Sequence, residues 1–109
     1  METYNSDILK AFHTLWDAFP GPVRLIDKSH KIIAANNIAQ EKGFIPDKCC
    51  ATVGEPCSHR GCKSALMLKT GLAQIDRPSI DRVRGWVPLA GYPDIYVHFT
   101  LMLPEENNQ

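Results

Sequence analysis

Apolar residues near the start of the chain recur at intervals of three and four: Ile8, Phe12, Leu15, Trp16 and Phe19. That spacing puts them on one stripe of an amphipathic helix, with Asn5 or Ser6 as its cap and Pro20-Gly21-Pro22 as an abrupt stop. After the prolines the period changes to two. Val23 to Asp27 and Lys31 to Ala35 read as a hairpin across the turn-forming stretch DKSHK. Asn36 and Asn37 suit a helix cap, and the short helical piece that follows stops at Gly43. A second short helix is expected in CKSALMLKTG, with Cys62, Ala65, Leu66 and Lys69 on one face and Gly71 as terminator. Strands are then expected at Ala73 to Asp76, at Arg82 to Leu89, and in the closing run. There Ile95, Val97, Phe99, Leu101 and Leu103 alternate with Tyr96, His98, Thr100 and Met102, after a turn at Gly91-Tyr92-Pro93-Asp94. A hairpin, short helices and a three-stranded meander predict an α+β domain, a five-stranded antiparallel sheet with the short helices on one face.

Composition narrows what such a domain does. The 109 residues are enough for one core without a metal or disulfide to hold it. Twelve basic and twelve acidic side chains cancel, with neither sign gathered into blocks, so no nucleic-acid partner is expected. The start METYNSDILKAF lacks the basic opening and apolar core of a secretory signal, and no apolar run approaches the ~20 residues that span a bilayer. A cytoplasmic location with no membrane partner is therefore expected. In that compartment thiols stay reduced, which disfavours a disulfide framework.

All four cysteines fall in CCATVGEPCSHRGC, with His59 among them. Cys57, His59 and Cys62 form C-x-H-x-x-C, and with Cys49 or Cys50 they supply the ligand types of tetrahedral zinc. The spacing is not that of a common zinc module or a ferredoxin run, so zinc, an iron–sulfur cluster, a reversible disulfide and plain burial of reduced thiols all stay open. No nucleophile, base and orienting acid are arranged for catalysis. Ser29-His30 falls in a turn, His13 on a helix and His98 on a strand, so a non-catalytic protein is expected.

The order of elements, with FPGPVRLIDKSHKIIAANNIAQ at the front, resembles the PAS sensor domain. Asp27 closes the first strand, and Asn36 matches the asparagine that follows the second. The cysteine segment is similar to that of a bacterial subset of PAS modules, through Cys49 or Cys50, Gly54, Pro56-Cys57 and Cys62. This chain differs in the longer gap from Cys57 to Cys62 and in having Lys63 where that subset carries proline. The resemblance implies an amphipathic helix over 1–20, a PAS-like domain over 21–104 and a polar tail over 105–109. It implies a sensory module in bacterial signal transduction, responding to a small ligand or to redox state. Output would pass by protein–protein contact to a partner such as a kinase or cyclase. It further implies a cavity between sheet and helices, lined by Leu25, Ile33, Asn36, Leu66, Trp86, Val97 and Phe99, although a small domain needs those side chains as core in any case. The cofactor stays unknown, none being one of the options. Homodimerisation is expected through Ile8, Phe12, Leu15, Trp16 and Phe19, whose combined surface is a large patch for a monomer to expose. The alternative is a small metal- or redox-binding protein in which the Cys49–Cys62 cluster is the function.

Overall fold

The central strands meet apolar side chains on both faces of the sheet, and that organises the molecule. The computed structural model describes residues 6–46 and 63–104. Helix α1 (Ser6–Trp16) is followed by the hairpin of β1 (Val23–Asp27) and β2 (Ile32–Ala35). Two short helices come next, α2 (Asn37–Glu41) and α3 (Ser64–Thr70), and then the meander of β3 (Gln74–Ser79), β4 (Arg82–Leu89) and β5 (Tyr92–Met102). The strands form a single antiparallel sheet in the order β2-β1-β5-β4-β3. First and last strands therefore lie side by side at its centre, with Val23 opposite Phe99 and Leu25 opposite Val97.

Each face of this sheet has its own apolar cluster. On the outer face α1 lays Ile8 and Phe12 over Val23, Leu25, Ala34, Ile95 and Val97. Burying a side chain of this size contributes roughly 1.5–3 kcal/mol, which is what docks a helix of eleven residues that would be marginal alone. On the inner face α2 and α3 bring Ala39 and Met67 onto Ile26, Ile32, Trp86 and Tyr96. The α+β architecture expected from the sequence is thus present, with the short helices together on one face and α1 alone on the other.

Several details depart from the sequence expectation. Helix α1 stops at Trp16, and Leu15 points into solvent with 72% of its surface exposed. Trp16 and Phe19 instead pack on Phe99, at ring-centroid distances of 6.3 and 5.6 Å. Helix α3 is rotated from the expected phase: Ser64 and Met67 are buried, with Leu68 packed beside them, and Leu66 is 47% exposed. Seven residues give less than two full turns, too few for spacing to select among stripes. The helix still ends where expected, at Gly71 in the left-handed region (φ 71°), whose N–H reaches the Met67 carbonyl. Strand β5 begins at Tyr92, inside the expected turn, so that Tyr92 already faces Leu89 across a tighter bend. A bulge at Ile33 lets β2 shift register between Leu25–Ala34 and Ile26–Ile32.

The hairpin turn is held by one carboxylate. Asp27 Oδ1 accepts from Ser29 Oγ (2.6 Å), Ser29 N (2.9 Å) and Lys31 N (3.0 Å). Burial by itself would raise the Asp27 pKa; the hydrogen bonds from Ser29 and Lys31, with the Lys31 charge, outweigh it and hold the group below its ordinary value. A depressed carboxylate stabilises the fold above the unfolded pKa, near 4, and that contribution disappears as pH falls through the lower folded value. Asp27→Ala is accordingly expected to cost up to about 1 kcal/mol at pH 7, because the site is solvent-screened. The gap in urea midpoint between it and the wild type should narrow as pH falls through the carboxylate range. A constant gap between the two from pH 7 to pH 3 would show that the carboxylate is not the group responsible.

Candidate functional site

The inner face is the chemically distinctive one. Alternation along β1, β4 and β5 places Arg24, Arg82, Arg84, Trp86, His98 and Thr100 on the α2/α3 side, as the register pairs Arg24 with His98, Trp86 with His98 and Arg84 with Thr100. Arg24, Arg84, Trp86 and His98 are buried there. Long charged side chains are seldom buried unless their groups are engaged, and both guanidinium groups have partners, although Arg24 Nε finds no acceptor among the described residues. The Arg24 guanidinium lies 4.2 Å from the Phe44 ring centroid and makes a long 3.4 Å hydrogen bond to Thr100 Oγ1. Arg84 forks onto Asp76 of β3, Nε to Oδ1 at 2.9 Å and Nη2 to Oδ2 at 2.6 Å, with its guanidinium 5.2 Å from the Trp86 ring centroid. Such a planar, two-pronged pair is the geometry that favours arginine over lysine.

Trp86 and His98 form the centre of the face, their rings stacked at 4.7 Å and 11°. His98 Nδ1 lies 2.9 Å from the Gly85 carbonyl oxygen; a carbonyl only accepts, so Nδ1 carries a proton and the ring is fixed in orientation. Trp86 has no exposed surface, and among the described residues its Nε1–H finds no acceptor. The indole nitrogen can only donate, and a buried donor left unpaired costs about 1–3 kcal/mol. The inner face therefore holds a fixed donor beside a stacked imidazole and two buried guanidinium groups.

The seven residues expected to line one cavity do not share a face. Trp86 is on the inner side, whereas Leu25 and Val97 are in the outer cluster, with Ile33 and Phe99 packed against it. Leu66 points largely to solvent, and Asn36 is buried with its amide hydrogen-bonded to backbone. The cause is the two-fold ambiguity of a strand: alternation defines two sets of side chains without saying which helix covers which set. Because α1 takes the more apolar set, the set facing α2 and α3 is the one with arginines and histidine. Sequence spacing did hold a signal for it, in the Arg82-Arg84-Trp86 and His98-Thr100 alternations. Of the residues expected at a dimer interface, Ile8 and Phe12 are covered by the protein's own sheet, Trp16 and Phe19 are half-buried, and Leu15 is exposed. Cys49, Cys50, Cys57, His59 and Cys62 lie outside the described residues. Among the described residues there is no group of three histidine, cysteine or carboxylate side chains placed to hold a metal ion, and no helix is long and apolar enough to cross a membrane.

No protein-family model matches the chain. No curated protein matches it either. Among solved structures it is similar to the PAS domain of BvgS from Bordetella pertussis, with a TM-score of 0.58 at 14% identity over 92% of this chain and 88% of that one. At that identity the likeness concerns the fold.

Proposed function

We propose that this chain, whose fold is the PAS fold, is a non-catalytic sensory module whose inner face takes a small acceptor-bearing ligand and which signals through protein contacts. The observation that carries this reading is Trp86, a fully buried donor with no acceptor among the described residues, set on the inner face beside His98 and Arg84. A core serving stability alone is better filled by hydrocarbon at that position, because the N–H costs free energy that packing does not return. A carboxylate, amide or carbonyl oxygen on a ligand would satisfy it. The output partner, of the kinase or cyclase kind, and a cytoplasmic setting belong to the same proposal.

Thermal-shift measurements on the wild type and Trp86→Phe, against a panel of small carboxylates, amides and ketones, test the ligand. Binding at a hundred times the Kd adds about 2.7 kcal/mol, a rise of several degrees in Tm. At least one compound is expected to stabilise the wild type and to lose that effect in Trp86→Phe, which keeps a ring but no donor. A panel without effect, or equal shifts in both proteins, would overturn the reading. Self-association is included in the proposal on the outer face, where Leu15 of α1 and Ile75 of β3 remain exposed. Sedimentation of the same samples is expected to show a dimer that Leu15→Asp converts to monomer; a monomeric wild type removes this part.

A further inference from the structure

Asn36 joins the layers on the two sides of the sheet through a single side chain. It is fully buried, and its amide makes four hydrogen bonds. Oδ1 accepts from Val23 N at 3.1 Å and Ala39 N at 3.0 Å. Nδ2 donates to the Trp16 carbonyl at 3.1 Å and the Gly21 carbonyl at 2.9 Å. Those four groups belong to different segments: the last residue of α1, the linker behind it, the first residue of β1, and the first turn of α2. A carboxamide has two N–H groups and one oxygen with two lone pairs, so the set is complete. The amide is planar, and neither helix can move away from it without pulling the plane or abandoning a buried partner.

We propose that Asn36 is a coupling joint between α1 on the outer face and α2 on the inner face, so that loosening either helix loosens the other. The physical basis is that losing the bonds on one edge frees the amide to rotate and weakens those on the other edge, which makes the coupling reciprocal. Through this joint a displacement of α2, the helix lying over the inner face, is passed to α1. The use of the joint in signalling rests on the sensory reading above; its existence does not.

Hydrogen–deuterium exchange on the full chain, read by peptide without any ligand, tests it. Ile8→Ala thins the packing of α1 at its far end, away from Asn36 and α2. With the joint intact, exchange in α1 is expected to rise roughly tenfold and exchange in residues 37–44 several-fold, while β4 and β5 stay protected. Asn36→Asp keeps an acceptor for Val23 and Ala39 but turns an oxygen towards the Trp16 and Gly21 carbonyls. It is expected to raise exchange in α1 by itself and to abolish the further effect of Ile8→Ala on residues 37–44. Unchanged protection of 37–44 in Ile8→Ala would overturn the proposal. So would an equal effect of Ile8→Ala in both backgrounds, or a uniform rise that includes β4 and β5. Should Asn36→Asp fail to fold, the Ile8→Ala profile alone decides by the first and third of these outcomes. Because no ligand is involved, a failed ligand screen leaves this result intact, and an absent coupling leaves the ligand site intact.

Discussion

Asp76→Ala is expected to cost about 3–5 kcal/mol. Asp76 and Arg84 stand opposite each other on β3 and β4, with side chains 15% and 4% exposed and two hydrogen bonds between them. Truncating the carboxylate removes two charge-assisted hydrogen bonds from a guanidinium whose side chain is only 4% exposed. Arginine stays charged at any accessible pH, so it cannot relieve the burial by giving up its proton. The pair itself need not be a strong net stabiliser, since burying two charges offsets much of their attraction. That distinction makes a sharper expectation: Asp76→Ala combined with Arg84→Met should recover most of the loss, because the buried charge goes too. Urea unfolding at pH 7, with fits at a common m-value, measures both. A loss below about 1 kcal/mol in the single variant would mean that solvent reaches the pair readily, as at a surface salt bridge.

Gly21→Ala is expected to cost about 2–4 kcal/mol and to lower Tm by roughly 10–20 °C. Gly21 is buried in the linker between α1 and β1, and a Cβ built there would overlap the Thr100 carbonyl oxygen of β5. The obstacle is backbone at the centre of the sheet, which has no rotamer by which to yield. On one side the Gly21 carbonyl accepts from Asn36, and next to it the Pro22 carbonyl accepts from Thr100 N at 3.0 Å. A methyl group must therefore break one or both bonds by lifting the linker from β5. The comparison is Gly71→Ala, where a Cβ meets nothing and only the positive φ opposes it, so that a loss of about 1–2 kcal/mol is expected. Equal losses at Gly21 and Gly71 would show that backbone conformation, and not the contact with β5, limits the linker.

The site was less legible than the fold, for a reason visible in particular residues. Trp86 could be singled out from the chain as a large side chain in the meander. Arg24, Arg84 and Asp76 could not, since arginines and aspartates in a strand are ordinarily the solvated side of an alternating pattern. The two arginines are buried here, with Asp76 partly covered beside Arg84, because the inner side of the sheet carries cover of its own, so polar positions that would meet water in a one-sided sheet meet a helix layer or one another. Phe44 has no periodic signature at all, and it enters the site only because the chain after Gly43 folds its ring under the Arg24 guanidinium. Asn36 was readable as a cap for α2 from its place before Asn37, and it is one. Its donors to Trp16 and Gly21 had no signal in sequence, because they span twenty and fifteen residues across a bend made by prolines.

What the sequence by itself determined is the kind and order of the elements: an opening helix that ends before Pro20, a hairpin turning on Asp27, helices ended by Gly43 and Gly71, and three strands of period two. These follow from local chemistry, from caps, φ restrictions and side-chain alternation, each decided within a few residues. Only the tertiary structure decided which alternating set faces α1 and which faces α2 and α3. That choice depends on β1 settling beside β5, so that Val23 meets Phe99 and Arg24 meets His98, residues more than seventy positions apart. No local pattern carries such information, because a strand turned over keeps the same sequence and the same period while exchanging every side chain between the two faces.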